Sequence, residues 1–293
     1  MSHKFKGTGV AIVTPFKEDE SIDYPSLEKF VEHLISGGID YLVVQGTTGE
    51  SVTMTKEEKS AMLDFVVEIT KNRLPIVLGI GGSNTKQVVS DFGNFNLENV
   101  DAILSASPAY NKPTQEGIYQ HYKTIAENTE KPIILYNVPG RTASNITAET
   151  TLRLANDCKN IIAIKEASND LRQIMDIIQN KPDGFLVISG DDGLTLPIVS
   201  LGADGVISVV ANAFPKEFSA MVNAALQNNY EAAQVEHYKL IEIIDLLFAE
   251  GNPGGIKAAL KILGITGDKM RLPLVSVSEE LYQKLEEKSN QIT

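Results

Sequence analysis

Eight short apolar runs, each closed by turn residues, recur along this chain at a spacing of roughly 30 residues, and that rhythm constrains the fold more than any other feature. They occupy 10–15, 41–46, 76–81, 102–107, 133–138, 161–167, 185–190 and 206–210. Between them apolar residues return with a helical period, as in Leu27, Phe30, Val31 and Leu34, or in Met62, Phe65, Val66 and Ile69. Thr55 with Glu58 forms a capping box ahead of one helix, and Gly37-Gly38 closes another. Strands apolar on both faces, alternating with amphipathic helices, predict an α/β chain folded as a parallel (β/α)8 TIM barrel. A doubly wound open sheet is the alternative, because periodicity alone does not show closure.

Beyond residue 210 the pattern changes to three helical stretches near 218–226, 230–248 and 255–263, with a last one near 279–289. No Pro-rich or low-complexity linker sets them apart, so a catalytic barrel over 1–223 and a C-terminal helical domain over 224–293, packed on the barrel, are expected. With 293 residues and 43% hydrophobic content, the chain can build a core of that size. A formal net charge of −12 argues against nucleic acid as a partner, since phosphate binding draws on clustered Lys and Arg. The single cysteine, Cys158, can make neither an internal disulfide nor a thiolate zinc site. The start, Met1-Ser2-His3-Lys4-Phe5-Lys6, has no apolar signal region and no stretch reaches membrane-spanning length, so a cytoplasmic protein without membrane contact is expected.

In barrels, function gathers at the C-terminal ends of the strands. Lys165 stands at such an end, directly after Ile161-Ile162-Ala163-Ile164. An ammonium on a strand buried on both faces is costly unless the site uses it, and an amine kept from water can attack a carbonyl, so Lys165 is read as a Schiff-base former; the alternative, usual for a lysine after a strand, is that it reaches solvent or a salt bridge. One strand earlier, Tyr136 ends an aliphatic run and offers either a core ring or a phenol for proton transfer; beside Lys165 the phenol is favoured. Thr47 and Thr48, flanked by Gly46 and Gly49, make either a tight turn with hydroxyl caps or a cradle for a ligand carboxylate. Arg141 in a Pro-Gly turn is a solvated charge or a fork for a substrate carboxylate. Asp191-Asp192 resembles a metal pair, but no histidine or second carboxylate cluster supports one, and no metal is expected. Gly79-Ile80-Gly81-Gly82 lacks the Lys-Ser/Thr ending of a phosphate loop, and His3, His33, His121 and His237 are scattered.

Three motifs in order at successive strand ends, Gly46-Thr47-Thr48-Gly49-Glu50, Tyr136-Asn137-Val138-Pro139-Gly140-Arg141-Thr142 and Ile164-Lys165-Glu166-Ala167, carry a resemblance. The chain resembles the pyruvate-dependent class I aldolase and lyase family, in its dihydrodipicolinate synthase branch, from Gly7 to the C-terminal helices. The resemblance implies condensation of pyruvate with L-aspartate-4-semialdehyde, the first committed step of lysine and diaminopimelate synthesis, by a homotetramer built as a dimer of dimers. It further implies that Lys165 forms the imine, that Thr47 and Thr48 hold the pyruvate carboxylate, and that Tyr136 and Thr48 relay protons with Tyr110 of a neighbouring subunit. Arg141 would bind the semialdehyde, Gly190 and Ile207 would line the pyruvate pocket, and no cofactor would take part. Read from the residues alone, Tyr110 could equally be a surface tyrosine packed locally.

The rival within the family is N-acetylneuraminate lyase or a 2-keto-3-deoxy sugar acid aldolase, which share the lysine and tyrosine but generally replace the arginine of the Pro-Gly-Arg-Thr turn. From another class, a non-catalytic barrel binding a keto acid would have no need of Lys165, Tyr136, Thr48 and Tyr110 together. Where relatives inhibited by lysine carry two histidines after the Gly-Glu-Ser turn, this chain has Lys56 and Lys59, and an aromatic is replaced by Ala109. Weak or absent feedback by lysine is therefore expected.

Overall fold

The structure, a computed structural model, describes residues 2–292; Met1, Thr293 and the side chains of Ser2 and His3 lie outside it. Strands β1 (Gly7–Ala11), β2 (Tyr41–Val44), β3 (Ile76–Gly79), β4 (Ala102–Ala106), β5 (Ile133–Asn137), β6 (Ile161–Glu166), β7 (Leu186–Ser189) and β8 (Gly205–Ser208) follow one another around a closed barrel. Every neighbouring pair is parallel, and closure is made by β1 against β8, from Gly7 opposite Gly205 to Val10 opposite Ser208. Closure removes the open-sheet alternative.

Helices α1 (Tyr24–Ser36), α2 (Lys56–Thr70), α3 (Thr85–Asp91), α4 (Gln115–Glu127), the single turn α5 (Pro139–Thr142), α6 (Ala148–Asp157), α7 (Leu171–Asn180), α8 (Thr195–Ser200) and α9 (Pro215–Leu226) lie between or after the strands. Their starts follow the capping chemistry. Thr55 accepts from Glu58 N while Glu58 caps back, Thr114 and Thr147 cap α4 and α6, and Pro215 opens α9. Then α10 (Tyr230–Phe248), α11 (Gly254–Ile262) and α12 (Glu279–Ile292) form the C-terminal helical region, with α10 packed on α9 and α12 on both α10 and α11.

Strand geometry sorts side chains into two apolar layers, because successive residues point to opposite faces. Outward residues such as Leu42, Val44, Leu78, Ile103, Leu135 and Ile164 meet the helices; inward ones such as Val43, Val77, Leu104, Ile134, Ala163 and Ile188 fill the barrel. One boundary differs from the sequence expectation: β1 starts at Gly7, ahead of the apolar run at 10–15. Its glycines resemble a turn, yet Gly9 is a strand residue beneath the Tyr41 ring, where a Cβ would fall 2.2 Å from ring atoms. Tyr41, fully buried, plugs the barrel with Phe5 edge-on at 5.6 Å and donates its hydroxyl to the Val206 carbonyl.

Candidate active site

The barrel rule and the strand period together place the site. On β6, Ala163 points inward and so does Lys165 two residues on; on β5 the inward pair is Ile134 and Tyr136. Tyr136 stands opposite Lys165 in the parallel register, and Lys165 opposite Ile188 of β7. Lys165 is 5% exposed, and its Nζ lies 4.4 Å from the centroid of the Tyr136 ring. Among the described residues no hydrogen bond or ion pair reaches that nitrogen. A buried amine with no carboxylate beside it, against an electron-rich ring face, is held where a carbonyl carbon can meet it.

Gly190 shows how closely the lysine arm is enclosed. A Cβ there would fall 3.0 Å from Lys165 Cε and 2.7 Å from Ala167 Cβ, so the residue after β7 has to be small for the arm to lie as it does. Ile207, buried on β8, belongs to the same inward layer as Tyr136 and Ile188. Asp191 and Asp192 are structural: Asp191 accepts from Leu194 N, and Asp192 Oδ2 accepts from Val209 N and Val210 N, tying the β7 loop to the end of β8. Burial pushes the Asp192 carboxyl up to about 6.

A cavity of about 350 Å³ opens at the strand ends, lined by Gln45, Gly46 and Thr47 after β2, Gly79 at the end of β3 with Ile80 to Gly82 after it, Ala106 and Ser107 at β4, then Tyr136 and Thr142. The two threonines divide here. Thr47 lines the cavity with Tyr136, whereas Thr48 is buried and its Oγ1 accepts from Asn252 Nδ2 at 3.0 Å. The outer wall carries Ser51, Val52, Lys56, Lys59, Asp91 and Ala109.

Arg141 is exposed on α5, which Pro139 opens and which Thr142 fastens by donating its hydroxyl to Ser144 O. The turn is braced against β4 by the Ser107–Ser144 hydroxyl pair at 2.5 Å. Tyr110 is 94% exposed on the neighbouring loop, with a left-handed backbone at φ 72° and its N–H donated to Thr142 O. The loops after β4 and β5 are thus knitted together, and they carry Tyr110 and Arg141 at the rim. His33, His121 and His237 sit on α1, α4 and α10, and burial lowers the pKa of each.

Sequence reasoning missed the residues that hold the threonine turn from the C-terminal region. Besides Asn252, Lys257 of α11 forms a fully buried ion pair with Glu50, and Arg271 donates its backbone N–H to the same carboxylate while its guanidinium pairs with Glu58. The signal was a lone lysine inside Ile256-Lys257-Ala258-Ala259-Leu260, since a cation in an apolar helix needs a buried partner.

A parallel barrel with an inward lysine at its C-terminal mouth, beside a tyrosine and without an ion-pair partner among the described residues, has the features of an imine-forming lyase. The particular family follows from comparison with known proteins: the profile of the Dihydrodipicolinate synthetase family matches residues 4–292, and the chain belongs to that family. It is 54% identical over 288 residues to the 4-hydroxy-tetrahydrodipicolinate synthase of Parabacteroides distasonis, covering 98% of this chain and 97% of that one. Among solved structures it is similar to dihydrodipicolinate synthase from Aquifex aeolicus, with TM-score 0.93 and 41% identity over 97% of this chain and 96% of the other. A monomeric dihydrodipicolinate synthase variant aligns with TM-score 0.95 and 38% identity over 99% and 98%.

Proposed function

We propose that this chain is a 4-hydroxy-tetrahydrodipicolinate synthase, a lyase that condenses pyruvate with L-aspartate-4-semialdehyde at the start of lysine and diaminopimelate synthesis. The observation that carries the reading is the buried Lys165 amine, without an ion pair among the described residues and 4.4 Å from the Tyr136 ring centroid. Lys165 Nζ adds to the pyruvate ketone and water leaves, giving an imine. Loss of a methyl proton then yields an enamine, with the imine nitrogen taking the electron pair. The enamine carbon attacks the aldehyde of the second substrate, whose amine then adds to the imine carbon, closes the ring and releases Lys165.

Within this reading the two threonine hydroxyls take different roles. Thr47, which shares the cavity with Tyr136, is better placed than Thr48 to pass protons, and Thr48 with the turn's backbone holds the pyruvate carboxylate. Gly190 and Ile207 shape the pyruvate end, and Arg141 at the rim takes the semialdehyde carboxylate. The Arg141 turn and the names of the close relatives support the synthase over a sugar-acid lyase, and the reactive lysine supports it over a non-catalytic binding barrel.

The exposure of Tyr110 supports an assembly in which it enters a partner's site, within a homotetramer of tight dimers. Mixed dimers of Tyr110→Phe and Lys165→Ala subunits then regain activity; verified mixed dimers without it would count against sharing. The division into a barrel, 1–223, and a helical domain, 224–293, belongs to the same reading, although α9 runs unbroken across it. Among the described residues no helix is long and apolar enough to cross a membrane, in keeping with a cytoplasmic enzyme. The test is reduction with borohydride in the presence of pyruvate, followed by peptide mapping: an adduct on Lys165 is expected, and one on any other lysine would remove the reading.

A further inference from the structure

The C-terminal region reaches the threonine turn at two points. Asn252 Nδ2 donates to Thr48 Oγ1 at 3.0 Å, and Lys257 on α11 pairs with Glu50, both side chains of that ion pair wholly buried. Glu50 is the left-handed residue, φ 53°, that ends the 3-10 turn Thr47–Gly49, and its N–H returns to Thr47 O. The turn is therefore gripped at its hydroxyl and at its last residue by a segment some 200 positions along the chain (|i−j| of 204 for the Thr48–Asn252 bond).

We infer that Asn252 is a positioning residue for the condensation: by donating to Thr48 Oγ1 it directs that hydroxyl's own proton toward the substrate carboxylate. A hydroxyl has one proton and two lone pairs. With one lone pair engaged by the amide, the proton is left for another acceptor, and a carboxylate in the pocket is the strongest one the proposed chemistry brings. Among the described residues Asn252 Oδ1 is buried with no hydrogen-bond donor. The Lys257–Glu50 pair supports this arrangement by fixing the turn; on this view the C-terminal helices complete the pyruvate site rather than merely covering the barrel.

The inference rests on the reading of Thr48 as a pyruvate-carboxylate ligand, and the experiment separates the two. Steady-state kinetics and borohydride trapping are compared for the wild type, Asn252→Ala, Asn252→Asp, Thr48→Val and the double variant Thr48→Val with Asn252→Ala. Asn252→Ala raises the pyruvate KM about tenfold, with smaller change in kcat, because one hydrogen bond that orders a charged contact is lost. The isosteric Asn252→Asp, which covers the case that truncation unfolds the loop, raises KM further, since its carboxylate captures the Thr48 proton. Relative to the wild type its KM recovers as the pH falls toward about 4, where an ordinary Asp carboxyl takes up its proton and can donate again. In the Thr48→Val background the Asn252→Ala change adds about twofold or less. A wild-type KM in Asn252→Ala, an Asn252→Asp defect indifferent to pH, or full additivity with Thr48→Val would each overturn the positioning role. Absence of any Lys165 adduct in the wild type would instead remove the parent reading and this inference with it.

Discussion

Strands β5 and β6 carry polar residues on both faces at their C-terminal ends, and the two faces are treated in opposite ways. Inward stand Tyr136 and Lys165; outward, one residue further on, stand Asn137 and Glu166, also opposite one another in register. The outward carboxylate is saturated: it accepts from Asn137 Nδ2 at 3.0 and 3.2 Å, from Gln173 Nε2 at 2.8 Å and from Ser168 N at 2.9 Å. The inward Lys165 nitrogen has no such partner among the described residues. Had Glu166 pointed inward it would have neutralised Lys165 in an ion pair; the strand period keeps the two apart. At these two strand ends the outward polar groups are thus committed to structure, whereas the inward Lys165 nitrogen has no hydrogen-bond partner among the described residues.

The sharpest way to break that contrast is to remove the inward amine. Lys165→Ala is expected to abolish trapping by pyruvate and borohydride and to lower turnover on the order of 10³-fold or more, with thermal stability kept or improved because an unpaired buried cation is gone. A large loss of Tm instead would mean that Lys165 is structural after all. A smaller effect belongs to the rim: Arg141→Ala spares trapping but raises the semialdehyde KM by about tenfold or more, as loss of a charge-assisted fork costs roughly 1.5 to 3 kcal/mol. Unchanged semialdehyde kinetics would take Arg141 out of the site.

The outer face predicts the reverse pattern. Asn137→Ala strips Glu166 of a donor and frees the Ile146 N–H that Asn137 Oδ1 accepts, so stability falls by about 1 to 3 kcal/mol while pyruvate trapping persists. Equal loss of trapping and stability would blur the distinction between the faces.

The barrel itself was legible because eight strands buried on two sides leave eight apolar runs, and Lys165 and Tyr136 were legible because each breaks such a run at its end. The start of β1 was not, because Gly7-Thr8-Gly9 owes its strand conformation to the Tyr41 ring, a contact between segments that local composition does not encode. Asn252 was hidden for the same reason. Within Gly251-Asn252-Pro253-Gly254-Gly255 it has the composition of a loop, and only the path of α10 and α11 brings it to Thr48. That Thr47 lines the cavity while Thr48 is buried against Asn252 also needed three dimensions, since adjacent residues of a short turn differ only in where the turn faces.

Asp192 extends the comparison to a carboxylate that is saturated yet poorly solvated. Its carboxyl is raised from 3.8 to about 6, chiefly by burial, so between those values the folded protein binds the proton more tightly than the unfolded chain. Stability from this group is therefore present at low pH and lost as pH rises through that window. The substitution Asp192→Asn tests this, because the amide oxygen it introduces can still accept from Val209 N and Val210 N while carrying no charge to desolvate. The variant is expected to gain on the order of 1 to 2 kcal/mol over the wild type at about pH 8 and little near pH 4. Thermal melts across that range check the sign, and a gain confined to low pH would show that the carboxyl is ionised at little cost.

The smallest expected effect is on feedback by lysine, and it sharpens the contrast at the cavity's outer wall. Lys56 and Lys59 line that wall, and among the described residues Lys56 pairs with Asp91 alone, at 4.0 Å with 65% of its own side chain exposed. A lysine effector brings an ammonium of its own, and unit charges several ångströms apart near a surface interact by roughly 1 kcal/mol or more. A penalty of about 1.4 kcal/mol weakens binding tenfold. Asp91 offsets one of the two cations, so the wall keeps a net positive charge toward an effector that needs an acidic one. A lysine titration at saturating pyruvate should leave activity nearly unchanged through the sub-millimolar range, and Lys56→His with Lys59→His should increase whatever inhibition there is. Half-inhibition of the wild type at sub-millimolar lysine would mean that the two cations turn away from the effector and that the outer wall is as open to an ammonium as the inner face is to a carbonyl.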